Sequence, residues 1–393
     1  IDSAQISIDD GMYTGSEVKP SYTVTLNDKT LIEGTDYRVT FSNNMNVTNA
    51  AVIQVTGINN YTGTKSEKFA ITPRSLADAV VTVDTARYTG QHLTPAVRVT
   101  LGSQTLEEDK DYTVVYSNNI DVTTDEDKAE VKITGIGNYT GTTAWEFDIT
   151  PRDISYVTVS DIGKQSYTGS PIRPRLTVTD GEKSLKVGTD YTVTYRNNTD
   201  VTGSATVIIA GKGNYEGTVS RTFEIVAADI SNAVVTGMSD SMTYTGRDIT
   251  FAGLRVTYAD RVLSAGTDYT VSYSGNRNMT DKAVVRILGN GNYTGSIIKS
   301  FAITRRNIND CSVGEIPGQA YTGQKIEPEI TILFDDVTLV EDVDYEIAYS
   351  NNTEPTDAQN LAKAVITGKG NFAGEIEREF TITKNPSSIM NAD

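Results

Sequence analysis

The tripeptide Tyr-Thr-Gly recurs at Tyr13, Tyr88, Tyr167, Tyr244 and Tyr321, at spacings of 75, 79, 77 and 77 residues. A chain that repeats one pattern at a fixed period folds into copies of one unit, because equal local preferences specify equal structures. Three further markers keep step with the first. An Asp-Tyr pair ends at Tyr37, Tyr112, Tyr191, Tyr269 and Tyr345. A Gly-x-x-Asn-aromatic turn follows at Tyr61, Tyr139, Tyr215, Tyr293 and Phe372. A Phe-x-Ile segment closes each copy at Phe69, Phe147, Phe223, Phe301 and Phe380. The period is longer than the roughly 20–50 residues of solenoid repeats, and such a unit is large enough to bury a small core of its own. The expected organisation is a string of small domains, each with its own core and only modest coupling to its neighbours.

Within a unit the residues alternate with period two. Tyr191-Thr-Val193-Thr-Tyr195 sets bulky side chains against hydroxyls, as do Tyr37, Val39 and Phe41, and Tyr269, Val271 and Tyr273. That pattern marks half-buried strands. Each unit holds six or seven such runs and no segment of helical periodicity. Gly188-Thr-Asp190, Asn197-Asn198 and Gly211-Lys-Gly213-Asn214 supply the turns between them. The reading is all-β: five tandem small immunoglobulin-like sandwiches, with a small barrel as the alternative. The Cys-Trp-Cys core of antibody domains is absent. Strands of eight to ten residues make each unit roughly 30–40 Å long, so five in line form an elongated rod of roughly 150–200 Å.

Single substitutions inside the pattern carry backbone information. Gly137, Gly213, Gly291 and Gly370 share one place in the Gly-x-x-Asn turn, where the first copy has Asn59. Asn is the residue that best tolerates positive φ after Gly, so a left-handed backbone is expected there. Gly275 replaces the first Asn of the Asn-Asn pair in the fourth copy, a departure that leaves the fold reading intact. Pro20, Pro95, Pro174 and Pro328 each lie seven residues after their Tyr, with Phe251 in the fourth copy. A residue without a donor at a strand entrance suits an edge strand or bulge.

The repeats place boundaries at 1–73, 74–151, 152–227, 228–305 and 306–384, with a flexible tail at 385–393. No Gly/Ser-rich linker intervenes, so bending between units is expected to be limited. The 34 basic and 51 acidic residues leave a net charge of −17. Nucleic acid and anionic membrane require a basic face, so neither is an expected partner. No run approaches the 18 apolar residues of a membrane span. The text opens at Ile1 without a Met or a signal peptide and reads as a mature or truncated piece. The single Cys311 allows no intrachain disulfide. A soluble monomer without cofactor is expected.

Catalysis is poorly provided for. A Ser-His-Asp or Cys-His arrangement needs a proton shuttle, and His92 is the only histidine. Cys311 reads as a small buried hydrophobe. Asp36, Asp111, Asp190, Asp268 and Asp344 recur before a strand, where a carboxylate caps its own turn; calcium, which takes six to eight oxygens, is the competing reading. Two features depart from the repeat and are the candidate ligand site. Trp145 stands where other copies carry Glu67, Arg221, Lys299 and Arg378, and offers a platform for a sugar ring or a contact with unit three, against the plainer reading of a locally covered ring. The stretch Asn119–Gly135 is three residues longer than Asn44–Gly57 and carries Asp125, Glu126 and Asp127. Loops on a fixed scaffold tolerate insertion and carry recognition; neutral drift in an exposed hairpin explains the same residues.

Tyr-Thr-Gly, Gly-Thr-Asp-Tyr-Thr-Val-x-Tyr-x-Asn-Asn, Gly-x-Gly-Asn-Tyr-x-Gly and Phe-x-Ile together resemble the tandem immunoglobulin-like repeat modules of secreted and cell-wall-attached proteins of Gram-positive bacteria. The resemblance covers nearly the whole chain. It implies an extracellular, non-enzymatic stalk that projects a functional head, on a bacterial surface or secreted. The alternative it implies is an adhesin or carbohydrate-binding accessory with host or glycan ligands.

Overall fold

The computed structural model describes residues 1–384; the expected tail at 385–393 lies outside the described residues. The chain is all-β, and among the described residues its only helical elements are single 3-10 turns at Ile154–Tyr156 and Ile308–Asp310. It divides into two compact units. The first holds Ile1–Asp161, Arg175–Thr194 and Val207–Arg221; the second holds Ile162–Pro174, Tyr195–Thr206 and the chain from Thr222 onward. Repeats one and two thus belong to the first unit and repeats four and five to the second. The third repeat contributes to both.

Repeat one shows how the alternating pattern becomes an immunoglobulin-like sandwich. Its strands are β1 (Gln5–Ile8), β2 (Gly11–Met12), β3 (Tyr22–Leu26), β4 (Lys29–Thr30), β5 (Tyr37–Ser42), β6 (Thr48–Gly57) and β7 (Thr64–Thr72). One sheet runs β1-β3-β4, and the other runs β2-β7-β6-β5 with β2 parallel to β7. The register sets Phe41 opposite Ile53 and Ala51 opposite Phe69. Every second residue of β6 therefore points inward, and Ala51, Ile53 and Val55 are fully buried beside Val24 and Ile71. Repeat four repeats the plan in the second unit: Thr280–Gly289 is the central strand, with Ala283, Val285 and Ile287 fully buried.

The turn residues do what their chemistry predicts. Asn59 has φ 53°, and Gly137, Gly213, Gly291 and Gly370 have φ between 54° and 65°, so the turn is left-handed in all five copies. The Asn-Asn pair divides its labour. The first member (Asn43, Asn118, Asn197, Asn351, or Gly275) also takes positive φ. The second is an internal tie: Asn44 Nδ2 donates to Val18 O at 3.1 Å and Asn352 Nδ2 to Ile326 O at 3.0 Å. Pro95, Pro174 and Pro328 present their carbonyls to ring hydroxyls of Tyr116, Tyr195 and Tyr349, Tyr195 Oη donating to Pro174 O at 3.0 Å, whereas in repeat one Phe41 stands at the tyrosine's place. Where Phe251 replaces proline, its regained N–H donates to Tyr273 Oη at 3.0 Å instead.

The long stretch Asn119–Gly135 of repeat two and its equal in length Asn352–Gly368 of repeat five have a simple origin. In repeats one and four β6 and its counterpart carry a bulge, between Thr48 and Ala51 and between Thr280 and Ala283. The three extra residues enlarge that bulge into a small excursion outside the ladder. Thr123 and Thr356 keep the pairing on its far side, their N–H groups donating to Ile149 O and Ile382 O. An insertion placed in a bulge leaves the inward alternation unchanged.

Passage between repeats takes one residue. Pro73 separates β7 from Arg74–Ser75, a two-residue strand already paired in parallel with Tyr139–Thr140 of repeat two. Arg152–Asp153, Ala228–Asp229 and Arg306–Asn307 make the same parallel pairs at later junctions.

Candidate functional site

The residues that first invite a catalytic reading are all engaged structurally. His92 Nδ1 lies 3.2 Å from Asn119 Oδ1, and Asn119 in turn donates to Leu93 O at 2.7 Å, so the ring belongs to the Asn tie of its own repeat. Cys311 closes a 3-10 turn, its N–H donating to Ile308 O. Burial, reinforced by Asp310, pushes its thiol up to about 11, so it is held as the unreactive thiol at neutral pH. The five recurrent aspartates cap their turns. Asp36, Asp111, Asp190, Asp268 and Asp344 each accept, through Oδ2, the backbone N–H four residues earlier, at 2.8–3.0 Å. Among the described residues no cluster of three or more His, Cys, Asp or Glu is arranged to hold a metal.

Trp145 lies in Thr142–Phe147, directly opposite Val131. Cross-strand partners share a face, so the indole starts on the inner side of the sheet beside a fully buried valine. It is nevertheless 41% exposed, because its strand is at the flank of the sandwich. Glu67, Lys299 and Arg378 hold the same register position opposite Ile53, Val285 and Ala364. Long charged chains cover the rim with their stems elsewhere; here an aromatic ring does so with one face open. Among the described residues it makes no aromatic pair, and none with repeat three.

The acidic excursion folds on itself. Thr124 and Asp127 exchange backbone hydrogen bonds at 3.1 and 3.3 Å, and Asp127 Oδ1 accepts from Asn118 Nδ2 at 2.6 Å. Asp125 is fully exposed and lies 3.5 Å from Lys128 Nζ, which is held more closely by Asp148 at 2.6 Å. Glu126 is exposed at the tip. No hydrogen bond or ion pair joins Trp145 to Asp125, Glu126 or Asp127. The four residues share one repeat but do not form one converged site.

The most regular polar arrangement lies at the junctions, and it is built from residues whose spacing announces only turns. From repeat two onward, the Asn of the Gly-x-x-Asn turn reaches back into the preceding repeat. Asn138 Oδ1 accepts Val47 N–H at 2.8 Å and its Nδ2 donates to Asn46 Oδ1 at 3.0 Å. Asn214 holds Val122 N–H at 2.8 Å and Asp121 Oδ1 at 2.8 Å. Asn292 holds Val201 N–H at 2.8 Å and Asp200 Oδ1 at 3.0 Å. Asn371 holds Met279 N–H at 2.7 Å and Asn278 Oδ1 at 3.3 Å. An amide side chain accepts through its oxygen and donates through its nitrogen, and both functions are used.

Beside each clamp, the Tyr of one Tyr-Thr-Gly meets the aromatic of the next repeat edge to face. Tyr13–Tyr139, Tyr88–Tyr215, Tyr167–Tyr293 and Tyr244–Phe372 have centroids 5.3–5.5 Å apart. Tyr13 and Tyr244 pack on the cores of the repeats that follow them, and Tyr167 is part of a buried cluster that continues through Ala228 and Ile230 to Tyr293. The expectation of separate cores with modest coupling is modified accordingly: a ring that each repeat appears to own is shared with the next.

Around this constant frame the junctions differ. Lys183 Nζ donates to Tyr88 Oη at 2.6 Å, while Asp180 accepts from Tyr215 Oη at 3.1 Å and pairs with Arg152 at 3.2 Å. At the third junction Arg261 Nη1 donates to Tyr167 Oη at 3.2 Å and Tyr258 stands beside Tyr293, lining a cleft of about 280 Å³. At the fourth, Phe334 stacks on Tyr244 and the Arg306 guanidinium lies 5.1 Å from the Phe334 ring centre.

No family model matches the chain, and no curated protein matches it. Among solved structures it is similar to the extracellular cadherin domains 3-6 of protocadherin gamma B2, at 10% identity and a TM-score of 0.17, over 78% of this chain and 99% of that one. It is similar also to the protocadherin gammaB4 extracellular domain, at 10% identity and a TM-score of 0.17, over 98% of this chain and 84% of that one. Scores of that size carry no inference about function.

Proposed function

We propose that this chain is a non-enzymatic, extracellular spacer: a stalk region of a bacterial surface or secreted protein that sets the separation and orientation of a functional head. The observation that supports this reading is the junction, in which the same asparagine, the same backbone N–H and the same pair of rings recur four times. Polar groups that recur in one geometry at every joint are committed to orientation rather than to a ligand. Each hydrogen bond of a clamp contributes about 1 kcal/mol net, and each edge-to-face pair roughly 0.5–1.5 kcal/mol beyond its burial. A joint of that strength holds an angle between its neighbours.

The test is a distance distribution. Spin labels on repeats four and five should give a narrow distribution in the native chain and a broad one in Asn371→Ala, with strand circular dichroism unchanged. A distribution already broad in the native chain would overturn the spacer reading.

The open face of Trp145 favours a second reading, in which repeat two binds a glycan. A sugar ring stacked on the indole suits an exposed aromatic. Binding found in a glycan and mucin screen of the full chain should weaken about tenfold in Trp145→Ala, the loss of roughly 1.4 kcal/mol. Binding that survives both Trp145→Ala and removal of Asp125–Asp127, yet follows another repeat, would remove this site.

A further inference from the structure

The clamp makes one demand on the repeat that precedes it: a backbone N–H three residues after the second Asn of the Asn-Asn turn. Val47, Val122, Val201 and Met279 provide it. The corresponding residue of repeat five is Pro355, which has no N–H. The alignment is fixed on both sides. Asn352 makes the same internal tie as Asn44, Asn119, Asn198 and Asn276. Thr356, directly after the proline, bonds Ile382 as Thr123, directly after Val122, bonds Ile149. The second clamp partner changes too: Asn46, Asp121, Asp200 and Asn278 are followed in the series by Glu354, one methylene longer.

The longer excursion of repeat five is not the cause. Repeat two carries the same three extra residues and still forms its clamp through Val122 and Asp121.

We infer that repeat five terminates the series: its outer end is built so that a further repeat of this type cannot be clamped to it. A following Asn would find no donor for its Oδ1 and a displaced carboxylate for its Nδ2. Leaving an amide oxygen unmatched against the proline ring forfeits the hydrogen bond and places a polar atom against an apolar one. The same mismatch means that the outer end of repeat five on one copy cannot clamp to the Asn60–Tyr61 turn on another. This goes beyond the spacer reading: it assigns a chemical stop for this type of clamp to the outer end of repeat five.

A six-repeat chain tests it. Residues 306–384 are duplicated directly after Lys384, so that Ile382-Thr383-Lys384 leads into Arg306-Asn307 with the spacing of Ile303-Thr304-Arg305 at the fourth junction. Spin labels on the fifth and added repeats read the joint. The added repeat should sample a broad range of distances behind the native loop, and a narrow one once Glu354→Asn and Pro355→Met copy the Asn278-Met279 of repeat four into the fifth repeat alone. An equally narrow distribution in both chains overturns the inference, because proline is then no obstacle. An equally broad one in both also overturns it, because restoring the donor does not restore the joint. The labels on repeats four and five of the same chains report the spacer reading separately.

Discussion

Replacing Tyr167 with alanine is expected to destabilise the repeats that share it by roughly 3–5 kcal/mol, the usual cost of deleting a buried aromatic. The ring is 7% exposed and lies in a cluster with Phe223 and Ile225 before the junction and Ala228, Ile230 and Tyr293 after it. Alanine leaves a cavity that neither side can close, because Tyr293 is held by its own strand pair with Ala228. Tyr167→Phe keeps the ring and loses only the hydrogen bond from Arg261, so its cost should stay below about 1.5 kcal/mol. Calorimetry of the full chain, with transitions resolved, reads both. A loss under about 1 kcal/mol for Tyr167→Ala would show that the shared ring is dispensable to both cores.

Two glycines two residues apart should behave oppositely. Gly289 ends the central strand of repeat four with ordinary φ, yet a Cβ there would lie 2.7 Å from Thr294 O and 2.8 Å from the Thr294 N and C atoms. That backbone cannot retreat, since Gly289 N–H donates to Gly295 O at 3.0 Å and closes the turn. Gly289→Ala should therefore cost roughly 3 kcal/mol, at the upper end for overpacking. Gly291 has φ 62° but is filled by Asn59 in repeat one, where φ is 53° and Nδ2 donates to Thr35 O at 2.8 Å. The equivalent Thr267 O lies 3.2 Å from the Cβ position at Gly291, so Gly291→Asn should cost about 1 kcal/mol or less. Thermal unfolding of the two variants decides it. If Gly291→Asn proves the more damaging, dihedral strain rather than close approach governs this turn.

Much of this turn chemistry is legible before any coordinates. The exchange of Asn59 for glycine announces a left-handed residue because few side chains tolerate that region. Gly275 for the first Asn of the pair announces another. The Asp before each Asp-Tyr strand reads as a cap because a short carboxylate reaches an N–H within its own turn, which is where all five are found. The openness of Trp145 is not legible in the same way. Its neighbours in the pattern are charged, but whether a ring there is covered depends on how far the opposite sheet extends over the flank.

The junction is the clearest omission, and a signal for it exists. In Gly-x-Gly-Asn-Tyr the second glycine already meets the demand of the turn, so the Asn that follows it in every copy has no local reason to recur. Nor has the alternation of Asn and Asp at positions 46, 121, 200 and 278. Two unexplained polar positions at a nearly constant offset are the trace of a contact.

What the sequence determines by itself is everything that local sterics and a period of two can specify: strands, their inward faces, the handed turns and the number of copies. What only the tertiary structure decides is whom each repeated residue touches. Translation by one repeat leaves the sequence pattern unchanged, so a Tyr13 packed in its own repeat and a Tyr13 packed on Tyr139 of the next give the same periodicity. The distinction lies in the path of the chain at Pro73 and its counterparts, where one residue separates the last strand of a repeat from the first paired strand of the next. That brevity brings the Asn-Asn loop of one repeat against the Gly-x-x-Asn turn of its successor, and makes the asparagine a clamp.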